Sequence, residues 1–288
     1  MSGPVGFIGL GVMGESMCRN LLSKSGRPVL VYDQVPEPVH RLQAEGAAAT
    51  SSFQALASDA EVVHLSLPGG PELEQVVLGD NGLLRHMGGG QIIVDHTTAP
   101  YRLTVDLAAA ANAAGVAYCD APVARTRQAA IDGTLSIMVG GSDADFARIK
   151  PLLDCMAADV SHCGPVGAGQ VVKLLNNMIL VQNVNAIAEA HAISENLGLD
   201  PEVVFATLAK GSSDSFALRN HGKAILADDY PLLAFPTRYA LKDLQYALAL
   251  ATDAEVDAKG CQLARDRLEE ALEAGFVEEY WPVLRRII

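Results

Sequence analysis

A lysine and two amides interrupt an apolar helical run in the segment Gly164-Pro-Val-Gly167-Ala-Gly169-Gln-Val-Val-Lys173-Leu-Leu-Asn176-Asn177. If 164–169 is a turn and Gln170 opens a helix, Lys173 and Asn177 are four residues apart and share a face. A proton carrier and a hydrogen-bonding amide then point into one space. A lysine desolvated there can have its pKa lowered toward the working range of a general acid or base. The plainer alternative is a lysine with a buried stem and a solvated head.

A second constellation lies at the amino end. Gly9-Leu10-Gly11-Val12-Met13-Gly14 follows the apolar run 5–8 and opens the helical pattern 15–23. Gly9 permits the tight turn, Gly11 lets backbone approach a pyrophosphate, and Gly14 allows close helix-to-strand packing, with the anion at a helix N-terminus. Asp33 closes the next apolar run about 20 residues on, where a carboxylate accepts from ribose hydroxyls. Gln34 follows it, so no arginine waits for a 2'-phosphate, which favours NAD over NADP. The alternative for Asp33 is an ordinary turn carboxylate. Leu67-Pro68-Gly69-Gly70 and Asp95-His96-Thr97-Thr98 end two further apolar runs, at the edge where doubly wound sheets bind ligands. Thr97 and Thr98 would reach the nicotinamide end or cap the helix expected at 101–114. His96 would be a structural histidine or a base.

These groups need a scaffold. Short β-rich runs at 5–8, 29–32, 61–67, 91–94 and 116–119 alternate with helical patterns, which implies a parallel sheet covered on both faces. Runs at 134–139 and 159–163 read as further strands extending the sheet. From 170 to 197 one long helix is expected, and beyond Gly198 the chain reads as wholly helical, with breaks near 211–214, 228–236 and Gly275. The fold class is therefore α/β: an N-terminal Rossmann domain over 1–164, then an all-α domain over 165–288 reached through the long helix.

Composition excludes several classes. A net charge of −13 among 288 residues opposes nucleic-acid binding, which needs basic surface. Five scattered cysteines (Cys18, Cys119, Cys155, Cys163, Cys261) have no paired spacing, so neither a disulfide framework nor a metal site is expected. The first apolar stretch lacks a basic leader and no apolar run reaches membrane-spanning length, so a cytoplasmic location is expected.

With these motifs assembled, the chain closely resembles the β-hydroxyacid dehydrogenase family, which includes 3-hydroxyisobutyrate dehydrogenase, tartronate semialdehyde reductase and sulfolactaldehyde reductase. The resemblance runs end to end through 6–14, Asp120-Ala-Pro-Val123, Gly133-Thr-Leu135, 164–177 and Lys242-Asp243-Leu244. It implies a helical domain that closes over the substrate and builds a homodimer or homotetramer. It implies Lys173 as catalytic acid/base, Asn177 as a substrate ligand, and Lys242 approaching both nicotinamide and substrate. For Lys242 the plainer alternative is a solvated pair with Asp243. The substrate implied is a small anionic hydroxy acid or its semialdehyde. Lys173 argues against the imine reductases, which typically replace it. Asn176 stands where 6-phosphogluconate dehydrogenases carry His.

After Val123 the family usually continues Ser-Gly-Gly, a segment that holds the substrate carboxylate. Here Ala124-Arg125-Thr126 stands instead. Sulfolactaldehyde reductases resemble the chain at this point, with an arginine that meets a sulfonate. Arg125, with backbone amides near Thr126, is therefore expected to grip a carboxylate, a sulfonate or a second acidic group, or to form a surface salt bridge of little energetic value. His96 and Asp214 also depart from the common pattern. A third reading, a catalytically silent NAD-binding module, would leave Lys173, Asn177 and Lys242 without a reason.

Overall fold

The computed structural model describes residues 3–232 and 234–288. Leu233, inside the break expected at 228–236, lies outside the described residues.

The chain divides into two units, Met1–Lys173 and Leu174–Ile288. In the first, the elements run β1 (Val5–Ile8), α1 (Gly14–Lys24), β2 (Val29–Tyr32), α2 (Pro36–Ala44), β3 (Ala48–Ala49), α3 (Phe53–Asp59), β4 (Val62–Leu65), α4 (Gly70–Leu78), β5 (Ile92–Asp95), α5 (Tyr101–Ala113), β6 (Ala117–Asp120), β7 (Val123–Ala124), α6 (Arg127–Asp132), β8 (Leu135–Gly140), α7 (Asp143–Leu153), β9 (Ala157–Gly164) and the start of α8 (Ala168–Asn196). The sheet order is β3-β2-β1-β4-β5-β6-β8-β7, with β9 beside β8. Strand order reverses between β1 and β4, the switch point at which such sheets bind ligands.

Both faces of the sheet are buried. Phe7, Val31, Val62, Ile92 and Val94 point to one core and Ile8, Val63, Leu65 and Ile93 to another, as the two-residue period of a strand requires. Each fully buried Val, Ile or Phe contributes about 1.5–3 kcal/mol by leaving water. That is why these strands read as unbroken apolar runs. The sheet is mainly parallel, but β8 runs antiparallel to β6 and to β7. The connection through α6 is short enough for an antiparallel return, whereas parallel neighbours need a longer crossover. β3 and β7 are two residues each, too short to show any periodicity.

The second unit is all helix: the remainder of α8, then α9 (Pro201–Leu208), α10 (Phe216–Ala227), α11 (Thr237–Asp253), α12 (Lys259–Glu273) and a closing 3₁₀ segment, Trp281–Ile287. Its core is built from faces spaced three and four residues apart. Val181, Val184 and Ala188 on α8 meet Ala240, Leu244 and Ala247 on α11 and Ala264, Leu268 and Ala271 on α12, around fully buried Trp281. Local signals set the breaks: Asp200 caps α9 ahead of Pro201, and the Ser215 hydroxyl caps α10 by accepting from Leu218 N–H at 3.0 Å. Among the described residues no helix is long and apolar enough to cross a membrane.

Candidate active site

The glycine loop between β1 and α1 has the shape a dinucleotide phosphate needs. Gly9 has φ +91°, and a Cβ there would fall 2.2 Å from the Ser66 carbonyl oxygen. A Cβ on Gly14 would fall 2.0 Å from the Gly9 carbonyl oxygen, so the start of α1 packs on the loop backbone. At Gly11 a Cβ would meet nothing within 4 Å. Glycine there leaves an open approach rather than relieving a clash. Gly11 and Val12 are exposed, Met13 precedes the first helical residue, and Leu10 is buried. Asp33, just past β2, accepts from Leu10 N–H at 2.5 Å and from Val35 N–H at 2.8 Å. Its carboxylate is thus fixed beside the loop. The cradle fits a dinucleotide.

The next strand ends are joined by a buried network. Leu67 lies in the loop after β4, not in the strand expected over 61–67, because pairing stops at Leu65, and Pro68 follows it in that loop. Leu67 N–H donates to the Thr97 hydroxyl oxygen at 3.1 Å, and Thr97 N–H donates to Asp95 Oδ1 at 2.9 Å. The Tyr118 hydroxyl donates to Asp95 Oδ2 at 2.9 Å. Asp95 is fully enclosed, and burial pushes its carboxyl up to about 7 against these donors. Neither Thr97 nor Thr98 caps α5, which starts after Pro100 without a side-chain cap. That alternative is corrected: Thr97 spends its hydroxyl on Leu67 instead.

His96 is a structural residue. Its Nδ1 lies 2.8 Å from the Ala121 carbonyl oxygen and its Nε2 lies 2.9 Å from His64 Nδ1. The carbonyl can only accept, so His96 carries its hydrogen on Nδ1 and accepts on Nε2 from His64 Nδ1–H. The two rings stack with centroids 5.2 Å apart and rest beside Phe7. Burial holds His96 down to about 4 and His64 well below the usual histidine range, so both are neutral. Together they tie the ends of β4, β5 and β6. His64 was legible only as one polar residue in an apolar strand.

The 164–177 motif is packed from below. Asp120, fully buried at the end of β6, accepts from Gly167 N–H at 2.7 Å and Gln170 N–H at 2.8 Å, capping the first turn of α8. Gly167 has φ +91° and its missing Cβ would sit 2.6 Å from the Tyr101 ring. Lys173 follows in the second turn, half-buried. Asn177 comes one turn later on the same face and is 7% exposed. Its Nδ2 donates to Asp243 Oδ2 at 2.7 Å, and its Oδ1 accepts from Asn176 at 3.0 Å. Lys242 on α11 has its Nζ 3.3 Å from Asp243 Oδ1, with the Tyr239 and Tyr246 ring centroids 5.5 and 5.4 Å away. One buried carboxylate therefore holds Asn177 and Lys242 together. The solvated-pair reading of Lys242 and Asp243 is corrected, because Asp243 is only 3% exposed.

Arg125 is engaged elsewhere. Its guanidinium donates to the Thr134 carbonyl oxygen at 2.6 Å and pairs with Asp159. Arg125 is also a non-glycine residue at φ +87°, where L-residues carry a steric penalty. Ala124 sits in β7, and the Thr126 hydroxyl caps α6 by accepting from Ala129 N–H at 3.3 Å. Asp214 pairs with Arg219 in the turn before α10.

Residues 4–164 match the family described as the NAD binding domain of 6-phosphogluconate dehydrogenase, and residues 167–279 match that described as NAD-binding of NADP-dependent 3-hydroxyisobutyrate dehydrogenase. The 3-hydroxyisobutyrate dehydrogenase of Pseudomonas aeruginosa is 37% identical over 269 residues, covering 91% of this chain and 90% of that protein. The chain belongs to the β-hydroxyacid dehydrogenase family. The 2-(hydroxymethyl)glutarate dehydrogenase of Eubacterium barkeri is 36% identical over 253 residues, covering 88% and 83%. A solved structure of Mycobacterium tuberculosis 3-hydroxyisobutyrate dehydrogenase with L-serine superposes at a TM-score of 0.91, with 27% identity, over 100% of this chain and 99% of that one. The family is one of oxidoreductases with an NAD(P)-binding domain.

Proposed function

We propose that this dehydrogenase interconverts a small β-hydroxy carboxylate and its semialdehyde or keto acid, using NAD. Residues 1–164 would hold the dinucleotide, and the helical residues 165–288 would hold substrate and make the contacts of a homodimer or homotetramer. The observation that carries the reading is the unbroken α8, which sets Lys173 and Asn177 one turn apart on one face, with the Asn177 amide oriented by buried Asp243.

The bound nicotinamide supplies the acceptor for the hydride from the alcohol carbon. Neutral Lys173 takes the hydroxyl proton as the carbonyl forms, becoming an ammonium, and returns it in the reduction. Asn177 donates to the substrate through its second amide hydrogen, and Lys242 adds positive charge opposite the substrate anion. Leu67, Pro68 and Thr97 would line the nicotinamide end. The backbone of Gly9 to Gly14 would hold the pyrophosphate. Asp33 would accept from the ribose hydroxyls and repel a 2'-phosphate, which supports NAD over NADP.

The pairing of Arg125 with Asp159 supports a carboxylate over a sulfonate, because the guanidinium has a partner within the protein. Backbone N–H groups around Ala124, Arg125 and Thr126 are then left to hold the anion. L-Serine, present with the mycobacterial relative, is itself a β-hydroxy acid. The test is reduction of NAD and NADP across 3-hydroxyisobutyrate, L-serine, 2-(hydroxymethyl)glutarate and a hydroxysulfonate, with Lys173→Ala as control. Turnover of a carboxylate with NAD that drops at least 100-fold in Lys173→Ala is expected. Turnover of the sulfonate alone would replace the carboxylate reading, and undiminished turnover by Lys173→Ala would remove the lysine from the mechanism.

A further inference from the structure

Gln170 is completely buried, yet its side-chain amide and its backbone N–H all find partners outside α8. Its side-chain Nε2 donates to the Thr97 carbonyl oxygen at 2.6 Å, its Oε1 accepts from Ala99 N–H at 3.2 Å, and its backbone N–H donates to Asp120 Oδ2 at 2.8 Å. The amide thus spans from the first turn of α8 to the loop after β5, while the backbone is tied to the end of β6. From Thr97 the hydrogen bonds continue to Leu67 N–H and to Asp95. Lys173 lies three residues further along the same helix, adjacent to Gln170 on its surface.

A buried primary amide presents two donors and an acceptor at the cost of desolvating all of them, so it is retained only where its partners repay that cost. A leucine or methionine would fill the same volume without it. What the amide adds is geometry. It fixes how far the α8 turn carrying Lys173 stands from the loop carrying Thr97.

We propose that Gln170 is a positioning residue for the dehydrogenase reaction, setting the distance between the Lys173 amine and the loop that lines the nicotinamide end. This rests on the assignment of Lys173 as acid/base. Misplacing a catalytic group by about 1 Å costs on the order of 100-fold in rate, and the loss falls on kcat rather than on dinucleotide affinity, because the glycine cradle and Asp33 are not touched.

The experiment uses the full chain with 3-hydroxyisobutyrate and NAD. Gln170→Met keeps the volume and removes both side-chain hydrogen bonds; kcat should fall about 10- to 100-fold, while the Kd for NAD, read by calorimetry, stays within threefold. Gln170→Glu supplies an internal control. Its protonated carboxyl replaces donor and acceptor alike, whereas its ionised form cannot donate to the Thr97 carbonyl. Its kcat should therefore approach the wild-type value on the acid side and fall as pH rises, a limb the wild type lacks. A Gln170→Met kcat within twofold of wild type, or a kcat loss matched by an equal loss of NAD affinity, overturns the proposal. Should Gln170→Met not fold, a Gln170→Glu profile parallel to wild type overturns it. Lys173→Ala separates the two levels: if it is inactive while Gln170→Met is unimpaired, only the positioning role fails, and if it is active, the assignment of the lysine fails and this inference with it.

Discussion

The proposed choice of cofactor and of substrate rests on single residues, Asp33 and Arg125. Asp33 is held by two backbone N–H groups with its carboxylate beside the glycine loop. On the proposed reading, replacing it with serine would remove both the acceptor for ribose hydroxyls and the charge that repels a 2'-phosphate. The KM for NAD should rise at least tenfold and that for NADP should fall; unchanged preference in steady-state assays with both cofactors would remove Asp33 from the selection. Arg125 is a different case. Its ion pair with Asp159 is solvent-exposed, 41% and 59% by side chain, and such pairs contribute about 0–1 kcal/mol. Its left-handed backbone costs roughly 1–2 kcal/mol that glycine would not incur. Arg125→Gly should therefore leave the Tm unchanged or slightly raised. Turnover of carboxylate substrates should stay within a few-fold, as measured by kcat/KM across the substrate panel. A 100-fold loss confined to carboxylates would return the guanidinium to the anion site.

At the scale of elements, the fit between α8 and the sheet is set by missing side chains. A Cβ at Gly169 would lie 2.4 Å from the Met138 carbonyl oxygen and 2.8 Å from Asp120 Oδ2, and one at Gly140 would lie 2.3 Å from Asp120 Oδ1. Backbone cannot step aside as the tip of a flexible side chain can. Gly169→Ala must push the first turn of α8 away from β8 and loosen the Asp120 cap, with an expected loss of more than 2 kcal/mol and a drop in kcat at saturating NAD. Wild-type denaturation midpoint and kcat together would contradict this packing. The same glycines explain what was legible in the sequence. The glycine loop, the long helix and the Lys173 to Asn177 spacing all follow from local periodicity and residue type, so the seven longer strands and the helices at 15–23, 101–114 and 170–197 were readable to within about two residues, whereas two-residue β3 and β7 and the break between α11 and α12 were not. The antiparallel turn at β8 was not, because it depends on which strand α6 returns to. Nor were the roles of Gln170, Asp120 and Asp243. Gln170 and Asp120 are single polar residues beside apolar runs and Asp243 directly follows Lys242, while the partners that give them these roles lie 47 to 73 positions away.

For the molecule as a whole, the buried histidines govern how stability responds to acid. His221 on α10 is 7% exposed among Phe216, Tyr280 and Trp281, and burial alone holds it down to about 4. In the unfolded chain it takes a proton near 6.5. Between about pH 6.5 and 4 the unfolded state therefore binds one more proton at this site than the folded state, and stability falls as pH is lowered through that window. His64 and His96 act in the same direction. Asp95 acts in the opposite one: its folded pKa of about 7 lies above its unfolded value, so the stability it contributes in acid is lost as pH rises toward 7. Asp120, also raised by burial, acts with Asp95, but His64, His96, His191 and His221 are all lowered by burial and outnumber the two, and the chain should lose stability on acidification. His221→Phe keeps an aromatic ring in the cage and deletes one titration. Its unfolding free energy, from urea denaturation at half-unit steps, should fall less steeply between pH 6 and 4.5, by about 1.4 kcal/mol per pH unit, the worth of one proton. Parallel curves for the two proteins would mean that the cage admits a charged imidazole, and that acid sensitivity originates in the sheet unit around His64 and His96.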